Sequence, residues 1–236
     1  RAIFPNRRCP AGKWDRFFSF RWEALTTMHR MTRHLVLFFA SCVTGAVFYW
    51  GLDSASPVAR LSMASAYASL FLLATTLMIG PWNKLRGRAN PVSSYLRRDV
   101  GIWAGMLGIV HVIVGLQVHM DGKLWLYFLP PPDAAYRFPL RIDPFGLTNY
   151  AGLAAGLILI MLLALSSNAS LRALGAVRWK RLQRWNYAAA ALVVAHGVVY
   201  QLLEKRALGF VLLFGVAVAL ALAFQIAGAA AARKHG

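Results

Sequence analysis

The sequence predicts an all-α, polytopic membrane protein: a six-helix transmembrane bundle with both termini cytoplasmic. Three observations carry this expectation. Of 236 residues 58% are hydrophobic, and only 8 are acidic against 26 basic, too little mixed charge to cover a soluble domain of this length. The apolar residues gather in six stretches, 35–52, 61–82, 100–118, 144–168, 185–203 and 207–232, each close to the roughly 20 residues that cross a bilayer. The net charge is +6 on 1–34, +4 on 83–99, +5 on the loop after the fourth stretch and +2 on the tail, but 0, 0 and +1 on the other three connections. Positive charge marks the cytoplasmic side. An even number of spans agrees with two ends on that side.

The chain divides into a basic segment 1–34, a membrane region 35–232 and a basic tail 233–236. Within the first, KWDRFFSFRWEALTTMHR (13–30) mixes aromatics with arginine and lysine. It reads equally as an interfacial helix on the inner leaflet or as a disordered basic tail. The first apolar stretch begins too late for an ordinary signal peptide and is read as a retained helix. Cys42 within it reads as inert packing, and neither Cys9 nor Cys42 forms a CxxC or CxxCH motif. The basic loop 83–99 leads to the third stretch, with Gly101, Gly105, Gly108 and Gly115 in register for close helix approach. The connection 119–143 carries Trp125, Tyr127, Phe128, Tyr136 and the run Pro130–Pro132. This suits an aromatic, partly extended segment at the outer interface. Basic loops of this kind meet anionic lipid, so the net charge of +18 requires no nucleic-acid partner. Neither a GxGxxG nor a P-loop motif is present, and no soluble nucleotide-binding domain is expected.

Two of the six stretches carry a histidine: His111 in the third and His196 in the fifth. An ionisable residue inside a membrane span marks a functional site, and its partner should be sought. Both helices are expected to run outward. His111 lies about 12 residues past Asp99 and His196 about 12 past Arg184, roughly 18 Å into a core of about 30 Å. Two imidazoles at one depth on parallel helices can ligate a b-type haem from both sides, an arrangement suited to electron transfer. Gly108 and Gly115 fall on the His111 face of the helix and would leave room for a flat macrocycle, although helix packing explains them equally. His119, eight residues further, is expected about 12 Å beyond His111 along the helix, available to a quinone, a metal or a partner. His29 and His34 are read as solvated among Arg30 and Arg33. No catalytic residue is expected.

Two segments, YLRRDVGIWAGMLGIVHV (95–112) and LSSNASLRALGAVRWKRLQRWNYAAAALVVAHGVVY (165–200), resemble the ferric reductase-like transmembrane domain family. Within it the likeness is to the haem-binding membrane subunits of bacterial periplasmic methionine-sulfoxide reductase systems. The shared features are a basic opening and a glycine on the third helix with a histidine further along, then a serine–asparagine segment, a basic linker, and a helix ending in a second histidine. The resemblance implies that His111 and His196 are the haem ligands. A further family histidine falls at Gln183, and the facing part of the third helix offers Arg97 and Arg98, so one haem b is expected. It also implies a multi-pass protein of the bacterial inner membrane that passes electrons from a quinol, or from a flavin on a soluble redox partner, to a periplasmic reductase or ferric iron. Two other readings stand beside it. A small-molecule transporter would use polar groups near the midplane; Gln117, Thr148 and Asn149 are polar but fall near helix ends, which gives this reading little support. A non-catalytic scaffold would use both histidines structurally.

Overall fold

The computed structural model describes residues 13–52, 56–87, 95–130 and 139–234, and in the first helix the side chains from Arg30 onward. Cys9, Tyr136, Pro131, Pro132, His235 and the side chain of His29 lie outside that description. Among the described residues there are helices and no strands. The helices are α1 (Lys13–Gly51), α2 (Pro57–Leu85), α3 (Tyr95–Gly115), α4 (Pro144–Ala164), α5 (Asn168–Gln183), α6 (Trp185–Leu203) and α7 (Leu208–Lys234), with two short 3-10 turns at Met120–Gly122 and Leu124–Tyr127. Six helical segments are long and apolar enough to cross a membrane: Arg30–Gly51, Pro57–Leu85, Tyr95–Gly115, Pro144–Ala164, Asn168–Leu203 and Leu208–Arg233. Only helices and closed barrels satisfy their backbone groups inside lipid, so the apolar composition and the helical fold have one cause.

Helix α2 is the buried centre, packed against α1, α3 and α7, while α4 packs on α6 and α3. Its sequence permits this, because small residues line its contact faces: Ser62, Ala64, Ser65, Ala68 and Ser69 are all buried. Close approach of small residues is what drives helices together in lipid, where apolar burial alone gives no preference. Ser69 Oγ donates across the α2–α3 contact to the Ala104 carbonyl at 2.8 Å, and Gly105 and Gly108 of α3 leave no room for a Cβ beside Leu163 and Leu159 of α4. Gly108 thus serves helix packing. Large apolar side chains point outward instead, among them Phe39, Val43, Val47, Leu157, Ile160, Leu212 and Val216. Such a belt would be a liability in water and is ordinary against acyl chains. Cys42 is exposed on the α1 surface, not packed inside as its sequence context suggested.

Helix ends are set by local chemistry. Ser56 caps α2 ahead of Pro57, its Oγ accepting from Ala59 N at 3.4 Å, and Asp143 caps α4 ahead of Pro144, accepting from Gly146 N at 2.7 Å. Proline in the first turn fits both starts. Gly175 takes φ 70° and kinks α5, a backbone state open to glycine. The α6 end closes with Lys205 at φ 47° and a bond from Arg206 N to the Gln201 carbonyl at 3.2 Å, the six-to-one bond of a Schellman turn.

Two expectations are corrected at the ends of α3. The helix stops at Gly115 and does not run to 118. The cause is Tyr127, 1% exposed: its hydroxyl donates to the Gly115 carbonyl at 3.0 Å and accepts from His119 N at 2.9 Å, turning the chain back. Tyr127 is therefore a buried staple and not an interfacial residue, and burial raises its phenol pKa above the usual range. At the opposite end, Asp99 is fully buried and gathers Arg30, Arg33 and His34 of α1 at 3.2, 3.0 and 3.5 Å. His34 also accepts a bond from Trp103 Nε1 at 3.1 Å. It is a structural partner of Asp99, not a solvated side chain. Helix α1 is continuous from Lys13, so the segment 13–30 is helical.

Candidate intramembrane histidine site

Helices α3 and α6 do not pack closely on one another. Between them lies a cavity enclosing about 1370 Å³ of atom-free space, its mouth included. His111 and His196 face each other across it, with ring centres 6.2 Å apart and planes at 74°. The two predicted residues are thus brought together.

Each ring is oriented by a backbone carbonyl on a different neighbouring helix. His111 Nδ1 lies 3.0 Å from the Ser62 carbonyl of α2, with Ser62 Oγ at 3.3 Å. His196 Nδ1 lies 2.8 Å from the Thr148 carbonyl of α4. A carbonyl only accepts, so the proton sits on Nδ1 in both rings and the Nε2 lone pairs are left free. No other hydrogen bond to either imidazole is made among the described residues. A histidine held this way is set up to ligate a metal through Nε2. An imidazole nitrogen sits about 2 Å from a metal it binds, so two rings ligating one metal from opposite sides have centres roughly 6 Å apart. The observed spacing meets that requirement.

The surroundings keep the rings in place. A Cβ on Gly152 would lie 2.7 Å from His196 Nδ1, so only glycine lets this ring rest against α4. On the other side, Gly115 sits next to His111 and Ser62, where a Cβ would be in ordinary contact with Ser62 Oγ at 3.4 Å and His111 Cε1 at 3.6 Å. Gly108 also borders the cavity. Tyr200 lies against His196, with ring centres 4.8 Å apart and planes tilted by 48°, and donates to Asn149 Oδ1 at 2.8 Å. Thr148 and Asn149, candidates for a transport path, are instead committed to His196 and Tyr200. Sequence reasoning missed Ser62, Thr148, Gly152 and Tyr200. The only hint was the small and polar residues of α2 and the four-residue spacing of Thr148 and Gly152 on one face of α4.

His119 is not a turn and more beyond His111 on a continuing helix. The early end of α3 folds it onto the cavity mouth, where its Nε2 meets Glu204 Oε1 at 3.1 Å. Gln183, at the position of the additional family histidine, closes α5 just ahead of α6, and Arg98 there donates to Asn168 Oδ1 at 2.6 Å. Among the described residues no group of three or more histidine, cysteine or carboxylate side chains forms a further metal site.

Fold and site together define an all-α, six-span membrane protein with a paired-histidine cavity inside its bundle. Curated relatives give this class a narrower name. The chain is 30% identical over 195 residues, 81% of its own length and 84% of the relative's, to the protein-methionine-sulfoxide reductase heme-binding subunit MsrQ of Rhodospirillum rubrum. It is 30% identical over 162 residues to MsrQ of Ralstonia nicotianae, covering 69% of this chain and 67% of that protein. It is 33% identical over 152 residues to MsrQ of Azospira oryzae, covering 64% and 58%. The chain belongs to the MsrQ family. No family model matches it, and no solved structure does.

Proposed function

We propose that this protein is a haem b-binding membrane subunit that carries electrons across the bacterial inner membrane, with His111 and His196 as the two axial ligands of one haem. The observation that carries this is the facing pair of imidazoles, each with Nδ1 fixed by a carbonyl and Nε2 free at a spacing suited to one metal between them. The donor set fits the group: two neutral nitrogens, a largely apolar wall, and space between helices that do not pack closely on one another. Haem supplies a one-electron redox centre when bound. The chain's own residues do the rest. Ser62 and Thr148 hold the rings in one tautomer, Gly152 gives the His196 ring its room, and the surrounding lipid-facing helices exclude water. Held by two histidines, such a haem would serve electron transfer and not oxygen chemistry.

Membership of the MsrQ family supports a role as the membrane half of a reductase system acting on oxidised protein methionine, with a soluble redox partner on the outer face. Electrons would arrive from a quinone or from a partner's flavin on the side of the basic loops, which the positive-inside rule places in the cytoplasm together with both termini. The test is a reduced-minus-oxidised absorption spectrum of the purified protein. A b-type spectrum that vanishes in His111→Ala and in His196→Ala is expected, with one haem per chain. A well-folded protein without haem overturns the reading, and two haems per chain overturn the inference from Gln183.

A further inference from the structure

The cavity is chemically lopsided. Its inner end is lined by Leu70, Gly108, Ala155 and Leu159, while its outer end, at the connections after α3 and α6, is lined by His119, Tyr127 and Arg206. Haem has the same asymmetry, an apolar macrocycle with two carboxylates on one edge. A carboxylate placed at the apolar end would lose its hydration without a partner to compensate, which is costly for a charged group. Resting on the haem reading above, we propose that Arg206 binds a haem propionate, so that the propionates point to the outer face.

The state of the arginine supports this. Its side chain is 21% exposed, and its one ion pair among the described residues is a loose 3.8 Å contact to Glu204 Oε2. Glu204 does not line the cavity, and its other oxygen is held by His119 at 3.1 Å. Glu204 is thereby drawn toward His119, and the Arg206 guanidinium makes no hydrogen bond among the described residues. A guanidinium presents a planar fork of donors that matches a carboxylate. The Schellman turn at Lys205 supplies the geometry: the bond from Arg206 N to the Gln201 carbonyl folds the chain back over the cavity.

The experiment titrates haem-free protein in detergent with haem b and with its dimethyl ester, whose propionates are neutral, reading the Soret absorbance. Wild type is expected to bind haem about tenfold more tightly than the ester, the effect of one charge-assisted contact. Arg206→Gln should weaken haem but not ester binding and so erase the difference, while keeping a bis-histidine spectrum. Arg206→Lys should restore part of it. Equal binding of the two pigments by wild type, or an undiminished preference in Arg206→Gln, overturns the proposal. Equal binding by wild type refutes the proposal without any variant, and Arg206→Lys keeps the assignment to Arg206 testable if Arg206→Gln fails to fold. Failure of the haem reading looks different: neither pigment then gives a bis-histidine spectrum at all.

Discussion

Gly152→Ala is the sharpest probe of the site, because it adds one carbon where there is no space. The new Cβ would lie 2.7 Å from His196 Nδ1 and 2.8 Å from Cε1, against an ordinary contact of 3.4 Å or more, so the ring must retreat by about 0.7 Å. Thr148, whose carbonyl holds the same ring at 2.8 Å, lies one turn earlier on the same helix. Retreat from α4 therefore stretches that bond to about 3.5 Å, the limit of a useful hydrogen bond. Overpacking of this kind costs about 1–3 kcal/mol, which corresponds to haem binding weakened about 5- to 150-fold. A haem titration by absorbance measures the affinity, and under the proposed haem reading the spectrum would report whether both imidazoles still ligate. Gly101→Ala is the control: its nearest neighbour, Thr76 Cγ2, is 3.6 Å away, and no change is expected. Wild-type affinity and an unchanged bis-histidine spectrum in Gly152→Ala would refute the claim that α4 fixes His196.

Three further outcomes are expected. Asp99→Asn removes a fully buried charge from Arg30 and Arg33; on the order of 3 kcal/mol of stability should be lost, read as a lower thermal midpoint in detergent, and an unchanged midpoint would show that α1 is held by packing alone. Tyr127 has a folded pKa above its unfolded value, so its contribution is complete below about pH 10 and declines as pH rises further. Alkaline unfolding curves of wild type and Tyr127→Phe should differ in slope above that pH, and parallel curves would contradict the role given to the phenol. Lys205→Gly relieves a left-handed non-glycine residue and should raise stability by about 1 kcal/mol; a loss of stability would show that the lysine side chain outweighs the strain.

Much of this fold was legible because lipid imposes simple rules. Six apolar stretches became six spanning segments, and two histidines in uncharged surroundings became facing rings. What was not legible depends on contacts between distant segments. Nothing in the pattern around Gly115 marks a helix end; the end exists because Tyr127, 12 residues on, reaches back to it. Asp99 counted as loop charge, yet its burial is decided by arginines 66–69 positions away. The carbonyls that orient the two imidazoles belong to Ser62 and Thr148, and a backbone oxygen has no signature in a sequence. Gly152 carries no mark of its own in a hydrophobic helix; its role comes from His196 resting on it.

The two imidazoles are steered by different neighbours, one leaning on α2 and the other on α4, while the helices that carry them stand apart. A metal held by both would therefore act as a fastener between α3 and α6, two helices that pack little on one another and are otherwise joined only through their neighbours α2 and α4. On that view cofactor loading is part of assembly as well as of electron transfer. A chain that never acquires its metal would be the looser of the two forms and the first to be cleared by proteases.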